Sequence, residues 1–290
     1  MRSLLSNRDV SVDEIYQIFD LAAFYLKNGI ESNLSGKLLF SIFFESSTRT
    51  ETSFSVAASR LGCIVEKANV SNLATRKGEH LVDLISTLNA FSPDLFVIRH
   101  SESGVLHLLK GYIDCGIINA GDGTNEHPTQ GLIDAFTILH MKEKIEGLNI
   151  LICGDILRSR VAHSTIPILQ RLGAVISISG PLALMPKILD EGIRYSPNFH
   201  DALSGADVVI MLRTQNERAS QDIDNGIDFC LNKAALAVAK PDILIMHPGP
   251  VNRNREISDA VLNDSRNGIL TQVRNGQYIR AAVISFLLEE

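Results

Sequence analysis

Short apolar runs and longer amphipathic stretches alternate along the whole chain. The apolar runs are KLLFSIFF (37–44), CIVEKA (63–68), DLFVIR (94–99) and CGIINAG (115–121), then NILICGD (149–155), AVISISG (174–180), DVVIML (207–212) and DILIMH (242–247). They are rich in β-branched residues and nearly continuous in apolar character, which predicts parallel strands covered on both faces. Between and after them, 12–28, 51–60, 79–91, 129–145, 160–172 and 272–289 carry helical periodicity. Strand–helix alternation of this kind predicts an α/β protein with right-handed crossovers.

A chain of 290 residues is long for one core, so eight strands are expected as two sheets of four, each flanked by helices. The expected division is a first domain of residues 1–130 and a second of 131–271, with helix 129–145 joining them. The final helix, 272–290, is expected to return its apolar face to the first domain. The longest polar stretch, RTQNERASQDIDNGID (213–228), reads as a surface or functional loop.

Charge narrows the choice of partner. The net charge of −6 argues against a nucleic-acid binder but leaves room for a small anion held by local arginines. Cys63, Cys115, Cys153 and Cys230 form no CxxC pair and have no metal spacing with a histidine, so they are expected as buried thiols in a reducing cytoplasm. The segment MRSLLSNRDVSVDEI lacks the apolar core of a signal peptide, and no apolar run approaches the roughly 20 residues that span a bilayer. No membrane role, metal or organic cofactor is expected.

Four polar clusters fall at the ends of predicted strands. In FFESSTRT, Ser47, Thr48, Arg49 and Thr50 stand where a strand gives way to a helix. An N-cap needs one hydroxyl. Three hydroxyls and a guanidinium at a helix N-terminus suit an anion, phosphate above all. No Walker or dinucleotide-binding glycine motif accompanies them, which points to a small phosphate compound rather than a nucleotide. In GDGTNEHPTQ (121–130), His127 and Gln130 stand at another strand end, although His127 alone reads equally as a histidine satisfied in a His-Pro turn. In GDILRSRVAHS (154–164), Arg158, Arg160 and His163 open a helix. In HPGPVNR (247–253) a rigid turn offers carbonyls to an N–H donor.

Arg99 ends a predicted strand and Arg49, Arg160 and Arg213 follow predicted strands, which places all four on the carboxyl edges of their sheets, where open α/β sheets bind ligands. Several guanidiniums on such edges imply a ligand with several anionic groups. No nucleophile–base set emerges, so the site favours orientation and electrostatic stabilisation over a covalent intermediate.

Taken together, FFESSTRT, KGE (77–79), IRH (98–100), GDGTNEHPTQ, LRTQNER (212–218) and HPGPVNR resemble the aspartate/ornithine transcarbamoylase family, and within it the catalytic chains that use aspartate. The motifs run in family order from about residue 37 to the final helix. The resemblance implies transfer of the carbamoyl group of carbamoyl phosphate to L-aspartate, a step of pyrimidine synthesis. It implies that Ser47, Thr48, Arg49 and Thr50, together with Arg99, hold the phosphate, and that Thr50, Arg99 and His127 polarise the carbonyl. Gln130 and the carbonyls of Pro248 and Gly249 would bind the carbamoyl NH2. Arg160, Arg213 and Gln215 would hold the aspartate carboxylates. Lys77 would reach the site of a neighbouring subunit in a homotrimer, and a regulatory chain is a further possible partner. Glu217 and Arg218 lie on a loop expected to close. Where the family carries a serine ahead of this lysine, Leu73 and Ala74 stand here, and no serine is assigned.

Ornithine-using relatives carry a cysteine at the position of Pro248 and a Ser-Met-Gly loop, and this chain has neither. Arg160 and Arg213 would repel a cationic side chain and attract a second carboxylate, which favours aspartate. The alternatives are a transcarbamoylase for another amino acid, and a non-catalytic anion-binding scaffold of the same fold.

Overall fold

The computed structural model describes residues 1–68, 80–213 and 229–289. The chain divides into two units, one of residues 1–132 with 274–290 and one of residues 133–273.

The first unit is built on four parallel strands, β1 (Leu38–Phe43), β2 (Ile64–Ala68), β3 (Leu95–His100) and β4 (Gly116–Asp122), in the order β2-β1-β3-β4. Every residue of β3 and β4 is buried, as continuous apolar runs require when helices cover both faces. The edge strand β2 has only exposed and half-buried positions. Helices α1 (Val12–Asn28), α2 (Thr48–Arg60), α3 (Leu81–Asn89) and α4 (Val105–Leu109) belong to this unit. Ser11 caps α1 through a reciprocal capping box with Glu14. The N-terminal segment runs along β4, with Leu4 N donating to Ile117 O (2.8 Å) and Asn119 N to Leu4 O (2.9 Å).

The second unit holds β5 (Asn149–Cys153), β6 (Val175–Ser179), β7 (Arg194–Tyr195), β8 (Val208–Met211) and β9 (Leu244–Met246), all parallel, in the order β7-β6-β5-β8-β9. The two-residue β7 extends the expected four strands to five. Its helices include α6 (Arg160–Arg171), α7 (Phe199–Ser204), α8 (Lys233–Val238) and α9 (Asp259–Leu262). The core lies where Leu151, Val209 and Ile245 of the sheet meet Phe199, Leu203 and Leu236.

Two helices contain the unit boundaries, α5 (Pro128–Lys142) and α10 (Ile269–Leu288). As expected, the C-terminal part of α10 packs on the first unit. Ser285 Oγ and Tyr25 Oη of α1 are 2.9 Å apart, and Arg280 donates to Ser53 of α2 at 2.7 Å with its guanidinium over the Phe54 ring.

Among the described residues, no helix is long and apolar enough to cross a membrane. All four cysteines are free and buried, and burial pushes the Cys63 thiol up to about 11 and the Cys115 thiol up to about 12.

Candidate active site

In each sheet the strand order reverses direction once, between β1 and β3 in the first unit and between β5 and β8 in the second. Connections leave to opposite faces there, which opens a crevice at the carboxyl ends. The four predicted arginines fall at these two points. Arg49 follows β1 and Arg99 is the penultimate residue of β3, while Arg160 follows β5 and Arg213 follows β8.

In the first unit, α2 begins at Thr48 rather than at 51, so three of the four phosphate-motif residues form its first turn. No apolar periodicity marks that turn, which is why the pattern alone starts the helix late. Ser47 occupies the N-cap position, yet its side chain makes no capping hydrogen bond. The hydroxyl is therefore not committed to the one role that an ordinary cap would give it. Arg49 and Thr48 are exposed, Ser47 is half-buried and Thr50 is buried.

Arg99 pairs in register with Phe43 across the β1–β3 ladder. On its other side the β3–β4 ladder slips. Ile98 opposes Asn119 but His100 opposes Asp122, leaving one extra residue on β4 beside Arg99. Arg99 is only 8% exposed, donates from Nη1 to Ala120 O at 3.4 Å and lies 3.2 Å from Glu45 Oε2. Glu45 stands inside FFESSTRT, where nothing in the pattern marks it as the partner of Arg99. The neighbouring His100 ring lies 4.9 Å from Phe44, and burial lowers its affinity for a proton.

His127 immediately precedes Pro128, the first residue of α5, and its carbonyl accepts the Gln130 N–H at 2.8 Å. A spacing of three puts both side chains on one face of the first turn, and both are buried. The loop before them is fixed by carboxylates. Asp122 accepts from Asn119 Nδ2 (2.9 Å), Gly104 N (2.8 Å) and Glu126 N (3.1 Å). Glu126 accepts from Ser6 Oγ (2.7 Å) and Asn7 N (3.1 Å), so the N-terminal segment helps to hold His127 in place.

In the second unit, Gly154 (φ 129°) directly follows β5, and a Cβ there would meet Leu212 O at 2.6 Å. Only glycine lets the two strand ends come so close. Ser159 caps α6 by accepting the Ala162 N–H at 3.2 Å, which leaves Arg160 as the first helical residue, 6% exposed. A cation at the positive end of a helix dipole is unfavourable, so its placement there suggests another task. Arg158 is different. Its Nη2 lies 2.9 Å from Asp155 Oδ2, with Asp155 wholly buried, and this pair locks the turn before α6. Arg213 is half-buried just past β8. The 247–253 turn follows β9 directly, with Pro248 and Gly249 half-buried and a cis bond between Gly249 and Pro250. Lys77, Gln215, Glu217 and Arg218 lie outside the described residues.

This geometry can be set against known proteins. The family described as "Aspartate/ornithine carbamoyltransferase, carbamoyl-P binding domain" matches residues 2–140, and its "Asp/Orn binding domain" matches residues 146–287. The chain belongs to the aspartate/ornithine carbamoyltransferase family. Similar carbamoyltransferases include the aspartate carbamoyltransferase catalytic subunits of Granulibacter bethesdensis and Nitratiruptor sp. The first is 45% identical, over 99% of this chain and 95% of that one. The second is 43% identical, over 99% of both. Among solved carbamoyltransferase structures, aspartate transcarbamoylase from Trypanosoma cruzi in complex with carbamoyl phosphate and aspartate superposes with a TM-score of 0.89 at 30% identity, covering 99% of this chain and 95% of that one. The same enzyme in complex with N-(phosphonacetyl)-L-aspartic acid gives 0.90 at 30% identity, covering 99% and 96%.

Among the described residues, no three His, Cys, Asp or Glu side chains are grouped as metal ligands would be.

Proposed function

We propose that this protein transfers the carbamoyl group of carbamoyl phosphate to the amine of L-aspartate, giving N-carbamoyl-L-aspartate and phosphate for pyrimidine synthesis. The observation that carries this reading is the placement of two arginines at the switch point of each sheet, in a chain of this family.

The first unit takes carbamoyl phosphate. Ser47, Thr48, Arg49, Thr50 and Arg99 hold its phosphate, using the free N–H groups of the first turn of α2 together with hydroxyls and guanidiniums. Thr50, Arg99 and His127 turn donors to the carbonyl oxygen, where negative charge develops as the amine attacks. Gln130 and the carbonyls of Pro248 and Gly249 accept from the carbamoyl NH2. Arg160 and Arg213, with Gln215 and Lys77, hold the aspartate carboxylates. The C–N bond forms, the C–O bond to phosphate breaks, and the departing phosphate takes the proton that the attacking nitrogen gives up. Two anions must meet in a site of low dielectric, and the arginines offset that repulsion.

The working unit in this reading is a homotrimer of the chain in the cytoplasm, with Lys77 completing a neighbour's site. The four buried free cysteines suit a reducing compartment.

Carbamoyl transfer to L-aspartate, L-ornithine and N-acetylated amino acids tests the assignment. Turnover of aspartate well above the others is expected. Faster transfer to ornithine, or no transfer to any of them, would overturn it.

A further inference from the structure

The turn after β9 is held from behind by side chains that the functional reading does not use. Asp134 of α5 and Gln272 of α10 are 0% and 2% exposed, and Gln272 Nε2 donates to Asp134 Oδ1 at 2.6 Å. Thr165 Oγ1 of α6 donates to the other carboxylate oxygen at 2.8 Å. The backbone N–H of His247 only donates, so the Gln272 amide has one orientation, with its oxygen toward that N–H and its nitrogen toward Asp134. That oxygen accepts the backbone N–H of His247 at 3.1 Å.

His247, 1% exposed, passes the constraint forward. Its Nδ1 accepts the Gly249 N–H at 2.8 Å. A backbone amide always donates, so Nδ1 carries no proton and the ring proton sits on Nε2. Nε2 lies 3.7 Å from Glu256 Oε2, a carboxylate that also accepts from Asn252 N at 2.6 Å and Asn252 Nδ2 at 2.8 Å. Both ends of the 247–256 turn are therefore tied to buried side chains.

The consequence follows from peptide geometry. The Pro248–Gly249 bond is trans, and a trans peptide points its N–H and its C=O in opposite directions. Turning the Gly249 N–H back onto His247 turns the Pro248 carbonyl away from it. Gly249 makes this possible with φ of 73°, a conformation that a side chain would strain.

We propose that His247 is a positioning residue for carbamoyl recognition. With its backbone set by Gln272 and Asp134, its Nδ1 aims the Pro248 carbonyl at the substrate NH2 and so distinguishes a carbamoyl group from an acyl group that has no N–H. The inference rests on the functional reading above.

The test compares kcat/KM for carbamoyl phosphate and for acetyl phosphate, in which a methyl replaces the NH2, with aspartate as acceptor. His247→Leu removes the acceptor for Gly249, and His247→Asn keeps one near the position of Nδ1. One well-placed neutral hydrogen bond corresponds to about tenfold in preference. The Leu variant is expected to lose about tenfold in its preference for carbamoyl over acetyl phosphate, with the Asn variant keeping most of it. A merely structural role would slow both substrates together and leave the ratio unchanged, which would overturn the inference. Should thermal melting show that the Leu variant does not fold, Gln272→Leu is read on the same ratio, with the same fall expected and an unchanged ratio overturning the inference. An active wild type with unaltered ratios in the variants isolates failure of this inference. A wild type that carbamoylates no amine overturns the functional reading, and this inference with it.

Discussion

Arg99 Nη2 lies 3.2 Å from Glu45 Oε2, so the guanidinium assigned to the phosphate is itself held by a carboxylate of the loop that carries the phosphate motif. With side-chain exposures of 10% and 29%, the pair is only partly screened by water. Arg99→Met is expected to abolish activity and to cost about 1–2 kcal/mol in chemical denaturation, because Glu45 loses its counter-charge. Adding Glu45→Gln to that variant should restore part of the stability and none of the activity. Costs that simply add would show that the two residues are uncoupled.

Arg49 is exposed on the first turn of α2, a poor place for a cation unless an anion binds there. Arg49→Ala should therefore lower kcat/KM by about 100-fold or more while leaving the melting temperature unchanged or slightly raised. A variant that loses stability in step with activity would make Arg49 a structural residue.

At the amino ends of the sheets the two units use the same clamp. Asp94 accepts from Leu38 N at 2.8 Å and pairs with Lys37 at 2.9 Å, while Asp207 accepts from Asn149 N at 2.8 Å and pairs with Lys240 at 2.6 Å. Burial pushes both carboxyls up, but the lysine and backbone N–H bonds outweigh it and hold both below the usual carboxylate range. A depressed folded pKa adds stability above the unfolded value of about 3.9, and that stability is lost as pH falls through the folded value. Denaturation of the wild type and of Asp94→Asn should therefore differ most near neutral pH and converge as pH falls below the usual carboxylate range. A gap that stays constant with pH would contradict the assignment.

Much of this was legible because parallel strands covered on both faces write themselves as apolar runs. The eight longer strands and the major helices appear where periodicity places them, and strand ends followed by Arg49, Arg99, Arg160 and Arg213 needed no structure to find. Strand order was not legible, since nothing in a run of apolar residues names its neighbour, and the switch points emerged only with the sheets. Arg194–Tyr195 is too short and too polar to read as a strand. The slip beside Arg99 is a single-residue event that leaves no trace in the pattern. Arg158 and Arg160 look alike in sequence, and only the buried Asp155 separates a structural arginine from a site candidate. Asp134, a carboxylate inside the apolar run LIDAF, was the one visible sign of the buried network behind His247.

Subunit mixing tests the role of Lys77. If sites are shared between subunits as proposed, Lys77→Ala and Arg49→Ala subunits should each be inactive alone, and mixed assemblies should regain part of the wild-type rate, because some sites would then draw both intact residues from different chains. Mixed assemblies that regain nothing would count against sites shared between subunits.

The most direct measurement is calorimetric binding of N-(phosphonacetyl)-L-aspartic acid beside its two halves, a phosphonoacetate and succinate. If one protein holds both a phosphate site built on Arg49 and Arg99 and a dicarboxylate site built on Arg160 and Arg213, joining the halves removes one association cost. The joined compound should bind at least about 100-fold tighter than either half, and both Arg49→Ala and Arg213→Gln should abolish that gain. Binding no tighter than that of the better half, or a gain that survives both substitutions, would contradict a two-substrate carbamoyltransferase site.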